Sequence, residues 1–365
     1  MGELKHSNIK VGRVIKVIDD INRKEVFEEG REFRSFPISI FYPTKEAHET
    51  NLTSLFYPAI HEVIGLFSEV GIKEEKLKEV FISVKENAKP IQDTPFPVVL
   101  LSPGFGIDRD LYIEIITTIV QEGYIVVTHS VPYDSFFTVF PNGKAVRQAE
   151  RFPDDRSQIV TRMQDVCLVL DHLEQWNQEE FFNGIFDTNK VGVIGHSLGG
   201  ATVFNLAAID KRISCGILFD ASLHLIDDKM PKIPILNIRQ EASSFQEYLN
   251  AIMGEDDAET SESIAKSYIE NQMKMYEHLP KSSSFVKIIG ANHLSFSTIG
   301  RLVSDVSPDV TKTIQKLVIA FLNEFLKEEQ GTYIENISEK NRPLNLIEIN
   351  GSGLPVNNYY SDILK

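Results

Sequence analysis

The chain has 365 residues, of which 42% are hydrophobic, 24% charged and 10% aromatic, a globular composition that excludes a disordered, collagen-like or coiled-coil chain. Thirty-seven Lys and Arg against 52 Asp and Glu leave a formal charge of −15, which repels nucleic-acid phosphate and anionic lipid and excludes both as general partners. Two cysteines, Cys167 and Cys215, each in an apolar run, are too few for a disulfide framework or a cysteine-rich zinc site.

In chain order, the first six residues are polar and lack the apolar core of a signal peptide. No run of about 18 apolar residues follows, so the expectation is a cytoplasmic protein without a membrane span. Strands are expected at 11–18 and, alternating ahead of Pro43, at 36–42; helical spacing marks 55–67 and 74–84. Short continuous apolar runs then recur at 97–101, 124–128, 191–194, 215–219, 233–238 and 285–289. Such runs are the pattern of strands buried on both faces.

Helical patterns separate these runs at 111–120, 159–173 and 201–208, and a strong amphipathic helix is expected at 308–326. The alternation predicts an α/β fold with a mostly parallel central sheet and helices on both faces. Residues 1–330 are expected to form one such domain. Within it, the polar, helical stretch at about 243–279, with Glu255, Asp256 and Asp257 in its middle, reads as an insertion covering one edge of the sheet. Residues 331–365, rich in Asn, Ser and Gly, read as a C-terminal extension, extended or loosely docked.

Gly195-His196-Ser197-Leu198-Gly199 stands directly after a buried strand and directly before a helix. A sharp strand-to-helix turn puts its middle residue in a strained conformation and holds the Ser197 hydroxyl out at the tip, while glycines two places either side let the flanking elements pass closely. This pattern is the one expected of a nucleophile elbow in an α/β-hydrolase fold. A serine nucleophile needs a base. His293, on the loop after the last buried run, fits the chain order serine, acid, histidine of that fold. His196 lies inside the elbow and is expected to pack or hydrogen-bond locally, and His129 and His224 have the wrong order or context. The acid belongs at a strand end between Ser197 and His293. Asp220, closing the run 217–219, and Glu241, two residues past another strand, both qualify.

An oxyanion hole needs the N–H after the nucleophile, here Leu198, and one from the loop after the early strand. That loop, Ser102-Pro103-Gly104-Phe105-Gly106, offers the Phe105 N–H. No His or Cys cluster has metal-ligand spacing, so neither metal nor other cofactor is expected.

At these residues the sequence resembles the platelet-activating factor acetylhydrolase family, plasma and intracellular type II. The resemblance runs through Phe41-Tyr42-Pro43, the 97–106 strand and loop, Gly123-Tyr124-Ile125-Val126, the 195–202 elbow, Cys215-Gly216-Ile217-Leu218-Phe219-Asp220-Ala221, and His293 ahead of Ser295-Phe296-Ser297. In that family the acid is the Asp of the Cys-Gly-Ile segment, which implies Asp220. One departure is Pro103, where the family has His. The resemblance implies a calcium-independent serine ester hydrolase that cleaves short acyl esters, including those at the second position of a phospholipid. The expected partner is therefore a small ester or phospholipid-like substrate. The 55–67 stretch is apolar enough for weak interfacial contact, but without a basic face it reads first as a lid or core helix. A lactonase, polyester hydrolase or acyltransferase shares the same chemistry. A non-catalytic binding member of the fold is the remaining class, and the intact Ser197, Asp220 and His293 set argues against it.

Overall fold

Antiparallel strands near the N-terminus give way to alternating buried strands and helices, as the apolar runs require. The computed structural model describes residues 9–25, 27, 33–92, 94–149, 154–254, 257–304 and 306–356. The chain forms two compact units, one running up to Gly192 and including Ser297–Ser304, the other comprising Val193–Phe296 and the residues after 304.

In the first unit β1 (Lys10–Asp20) pairs antiparallel with β2 (Arg34–Thr44) along their whole lengths. Next come β3 (Glu49–Asn51), α1 (Ile60–Glu69), α2 (Glu74–Lys78) and β4 (Phe81–Glu86), with β4 parallel to β1 and antiparallel to β3. A parallel strand–helix–strand unit follows, β5 (Phe96–Ser102), α3 (Ile113–Gln121) and β6 (Ile125–His129), with β6 antiparallel to β2. Every residue of β2, β5 and β6 is buried, as continuous apolar runs predict. A hairpin of β7 (Phe137–Val139) and β8 (Ala145–Arg147) precedes α4 (Asp155–Asn177), whose first turn is capped by Asp154 accepting the Ser157 N–H. Strand β9 (Phe186–His196) begins in this unit and ends in the second. The strand order here is β9-β5-β6-β2-β1-β4-β3.

The second unit takes β9 into α5 (Leu198–Ala207), then β10 (Ile213–Phe219), β11 (Ile235–Arg239), α6 (Phe245–Ile252), α7 (Ala258–His278) and β12 (Ser284–Ile288). After α8 (Thr298–Val303), which belongs to the first unit, come α9 (Pro308–Leu326), α10 (Thr332–Ile337) and β13 (Leu346–Glu348). Strands β10, β11 and β12 are parallel and β13 is antiparallel to β12, in the order β13-β12-β11-β10-β9. Helix α9 starts where the sequence places it, with Ser307 as N-cap and Pro308 in the first turn.

Three expectations are corrected. The 55–67 stretch is not one helix. Pro58 has no N–H to donate, and a 3-10 turn at Leu52–Phe56 is separated from α1. The apolar face of α1 is core, with the Phe67 ring 5.9 Å from Phe56 and 5.6 Å from Phe137. The 74–84 stretch stops being helical after Lys78, because Phe81–Glu86 alternates buried Ile82 and Val84 with exposed or half-buried neighbours and is taken up as a strand. The segment after Gly331 is neither extended nor loose over 332–349. It carries α10 and β13, and Leu346, Ile347 and Ile349 are buried; residues 357–365 lie outside the described residues. The 243–279 segment is helical as expected, with Glu255 and Asp256 outside the described residues. Among the described residues no helix is long and apolar enough to cross a membrane.

The first unit is tied internally by a buried ion network. Arg34 donates Nε to Asp165 Oδ1 at 2.8 Å, Nη2 to Asp165 Oδ2 at 2.6 Å and Nη1 to Glu25 at 2.9 Å, and Arg23 adds a 2.6 Å bond to Asp165. Burial pushes the Asp165 carboxyl upward, but the Arg34 charge and hydrogen bonds outweigh it, and the net displacement is downward. A carboxylate held below its unfolded value stabilises the fold fully above about pH 4 and loses that contribution as pH falls further. Asp165→Asn is therefore expected to lower unfolding stability by about 3–5 kcal/mol at neutral pH, measured by urea titration, with the gap to wild type narrowing below about pH 4. An equal gap at neutral and acid pH would show that the ion pair is not its source.

Candidate active site

Strand β9 ends at His196, and Ser197 follows at φ 53° and ψ −121° before α5 begins at Leu198. This is the strained strand-to-helix turn that the Gly195-x-Ser197-x-Gly199 spacing predicts. Its tightness is visible at the glycines. A Cβ on Gly195 would sit 2.3 Å from the Gly199 carbonyl oxygen, and one on Gly200 would sit 2.4 Å from the Ala221 Cβ. The turn is pinned to the end of the neighbouring strand, since the Ser197 N–H donates to the Phe219 carbonyl at 3.0 Å and the Ser222 N–H donates to the Ser197 carbonyl at 3.0 Å.

Asp220 caps the fully apolar end of β10 at φ 41°, and its N–H donates to the Ile238 carbonyl at 2.8 Å. Its side chain is buried between two partners. Oδ2 lies 2.6 Å from His293 Nδ1, and Oδ1 accepts from Arg239 Nη1 and, at 3.3 Å, from the Gln240 N–H. Burial by itself raises the Asp220 pKa, but the Arg239 charge and the His293 hydrogen bond outweigh it and bring it down to about 2. Asp220 is thus an anion throughout the neutral range. Its bond to Nδ1 places the proton of a neutral His293 ring on Nδ1 and leaves Nε2 as the basic atom.

His293 opens a 3-10 turn, His293–Phe296, beyond β12. The turn is fixed from three directions. Asn292 Oδ1 accepts the N–H groups of Leu294 at 3.0 Å and Ser295 at 3.1 Å. The Glu241 carboxylate accepts the Gly290 N–H at 2.8 Å, and the Glu241 N–H donates to the Ala291 carbonyl at 3.0 Å. His196 Nε2 donates to the His293 carbonyl at 2.9 Å, with the two rings 4.8 Å apart. Burial, reinforced by the nearby His293, pushes His196 down to about 3, so it is a neutral donor. The His293 side chain itself remains 43% exposed.

Of the two acids left open by residue pattern, Asp220 meets the histidine ring, whereas Glu241 holds the backbone of the turn that carries it. His196 is not confined to local packing, because it braces the main chain of His293. Two residues that the pattern reading passes over stand beside the acid, Arg239 and, stacked on it, Tyr268. The signal available for Arg239 was a charged residue closing the mostly apolar run 235–238, a weaker form of the signal that marks Asp220.

In the first unit, the Pro103–Gly106 loop is braced by its own surroundings. The Gly104 N–H donates to the Tyr112 hydroxyl at 2.8 Å, and the Pro103 carbonyl accepts from Arg162 Nη1 at 2.7 Å. Gly106 adopts φ 73°, and Phe105 beside it is 45% exposed. Pro103 therefore takes part through its carbonyl, for which a proline is as good as any residue. Among the described residues no group of three or more His, Cys, Asp or Glu side chains is arranged to hold a metal ion.

Comparison with known proteins points to one family. The family model described as platelet-activating factor acetylhydrolase, isoform II, matches residues 21–138 and 157–329, which include Phe105, Ser197, Asp220 and His293. A probable 1-alkyl-2-acetylglycerophosphocholine esterase of Arthroderma benhamiae is 32% identical over 237 residues, 59% of this chain and 57% of that protein. The platelet-activating factor acetylhydrolase of Cavia porcellus is 25% identical over 331 residues, 80% of this chain and 70% of that one. The match thus spans little more than half the length of the fungal relative. A ferulic acid esterase from Streptomyces cinnamoneus shares the fold, with a TM-score of 0.70 and 19% identity over 94% of this chain and 97% of that one. With the family model covering well over half of its length, the chain belongs to the platelet-activating factor acetylhydrolase, isoform II, family.

Proposed function

We propose that the chain is a serine carboxylic ester hydrolase that cleaves short acyl esters, with the acetyl group at the second position of a phospholipid as the model substrate. The observation that carries this reading is the buried Asp220 carboxylate 2.6 Å from His293 Nδ1, beside a serine held at positive φ on a strand-to-helix turn. The names of the relatives and the family membership support the same chemistry.

In this mechanism His293 Nε2 takes the Ser197 hydroxyl proton while Oγ attacks the ester carbonyl carbon. The carbonyl π electrons move to oxygen, and the resulting oxyanion is held by the Leu198 N–H at the start of α5, with the Phe105 N–H as the second donor. His293 returns the proton to the departing alkoxide, which leaves as the alcohol. Water, deprotonated by the same nitrogen, then attacks the acyl-enzyme and releases the acid and Ser197. Asp220 keeps the ring in the required tautomer and stabilises the imidazolium formed at each step.

Three measurements test the reading. Ser197→Ala should lower kcat for p-nitrophenyl acetate by about 10⁴–10⁶, abolish labelling by a fluorophosphonate, and leave the circular dichroism spectrum unchanged. A folded variant that keeps more than about a tenth of the activity is incompatible with Ser197 as nucleophile.

The two acids should part company. Asp220→Asn is expected to reduce kcat by about 10⁴ through the wrong histidine tautomer. Glu241→Gln keeps a carbonyl oxygen for the Gly290 N–H and should stay within a few-fold of wild type. The reverse outcome would move the acid to the strand β11 side.

Finally, acyl length should be limited, as the relatives named for acetyl esters suggest. Acetyl to about hexanoyl esters should be hydrolysed with much higher kcat/KM than palmitoyl esters, in an assay series of graded p-nitrophenyl esters. Equal or faster turnover of the long chains would point to a true lipase.

A further inference from the structure

Arg239 is an expensive residue to place where it stands. Its side chain is fully buried, and a guanidinium removed from water costs several kcal/mol unless charge and hydrogen bonds compensate. Nη1 bonds Asp220 Oδ1 and Nη2 donates to the Ala242 carbonyl at 3.1 Å, while Nε has no hydrogen-bond partner. The remaining contacts are aromatic. The guanidinium carbon lies 4.3 Å from the centre of the Tyr268 ring on α7 and 5.4 Å from that of Tyr248 on α6, and the two rings are 4.2 Å apart. Both tyrosines belong to the 243–279 helical segment. An apolar side chain of similar volume fills such a space at no loss of stability in many proteins, so packing alone does not account for an arginine here.

We propose that Arg239 is a positioning residue for the candidate triad, fixing the Asp220 carboxylate and offsetting its charge, and that the helical segment serves the reaction by clamping Arg239 through Tyr248 and Tyr268. The proposal rests on the reading of Ser197, His293 and Asp220 as nucleophile, base and acid. Its geometric part is direct. A carboxylate turns freely about its last bond; with Oδ1 taken by Arg239 and the Gln240 N–H, Oδ2 is left facing His293 Nδ1.

Its electrostatic part follows from sign. A lone buried carboxylate stabilises the imidazolium form of its histidine strongly, which would keep the base protonated further up the pH scale. Arg239, paired with Asp220, offsets the carboxylate charge and weakens that pull. Facing the Asp220–His293 pair are Arg239 from β11, His196 from the end of β9, Tyr268 from α7 and, behind it, Tyr248 from α6. His196 is pushed down to about 3 by burial, and burial drives the Tyr268 hydroxyl well up. Among these groups Arg239 is therefore the one that carries charge against Asp220 at neutral pH.

The test is the pH profile of kcat/KM for p-nitrophenyl acetate in Arg239→Met, Arg239→Lys and Tyr268→Leu, each checked for folding by thermal denaturation. Arg239→Met should lose about 10- to 100-fold in kcat with KM within about two-fold, and its acid limb should move to higher pH by on the order of one unit. Arg239→Lys should keep the wild-type acid limb with a smaller loss in kcat, because charge remains without the fork that fixes Oδ1. Tyr268→Leu should shift both quantities in the direction of Arg239→Met, by less. In an Asp220→Asn background, Arg239→Met should cost little further activity, as expected of groups acting through one another.

An acid limb unmoved in Arg239→Met, with activity falling only as far as the folded fraction does, would overturn the proposal. Should Arg239→Met not fold, a folded Tyr268→Leu with wild-type kcat and acid limb overturns it equally, and a shift in that variant supports it. The parent reading fails separately, by a fully active Asp220→Asn. An inactive Asp220→Asn together with an unmoved Arg239→Met profile sinks the role of Arg239 alone.

Discussion

Holding a residue with a side chain at φ 53° and ψ −121° costs about 1–3 kcal/mol, and close packing keeps Ser197 there. The turn can be that sharp because Gly195 and Gly199 pass within a distance that admits no Cβ, and because Gly200 lies against Ala221 with the same lack of room. The hydrogen bonds from Ser197 to Phe219 and from Ser222 back to Ser197 then lock the turn to the end of β10. Asp220 is the next residue along that strand. The strain at the serine and the placement of the acid are thus consequences of one arrangement, two neighbouring strand ends and a helix start crowded together at small residues. In the proposed mechanism the first amides of the helix serve the developing negative charge.

Charge inside this acidic protein is concentrated in guanidinium–carboxylate pairs. Among such pairs are Arg34 with Asp165, Arg162 with Asp134 and Arg239 with Asp220, all with buried side chains. Such pairs contribute little net stability, but breaking one is costly, so they restrict geometry more than they add free energy. Two of the three have a second task. Arg162 also takes the Pro103 carbonyl and so steadies the loop that carries Phe105, while Arg239 takes the far oxygen of the carboxylate that meets His293. Rigidity is directed at the loops and strand ends that carry the candidate site residues, where irregular backbone would otherwise leave them loosely held.

What the sequence made legible depended on how local each signal was. The elbow around Ser197 is a pattern of five residues between a strand and a helix, and Asp220 closes a run of buried apolar residues; both can be read without a partner. Arg239 carried a similar local mark, but its meaning lies in Asp220, 19 positions away, and in rings from a segment that pattern alone reads as a peripheral insertion. His196 is tied to a carbonyl 97 positions away, so its neighbours in sequence say nothing of it. Strand β4 was missed because the stretch through Ile82 and Val84 satisfies both helical and alternating periodicity. The contest is settled by pairing with β1 and β3, a tertiary effect. The buried strands and α9 were recovered because fully apolar runs and a capped amphipathic stretch leave little competition.

Strand β13 is three residues long and closes one margin of the sheet against β12. Without it, the outer side of β12, with Phe285, Val286 and Ile288 buried, would present a row of vacant amide and carbonyl groups, the template on which a second polypeptide adds as a strand. With it, the exposed margin is brief and ends where Ile349 bridges to Pro355, a residue with no amide hydrogen to offer. The late segment that looked like a trailing end therefore works as a hem, protecting the sheet from recruiting its neighbours into intermolecular aggregates.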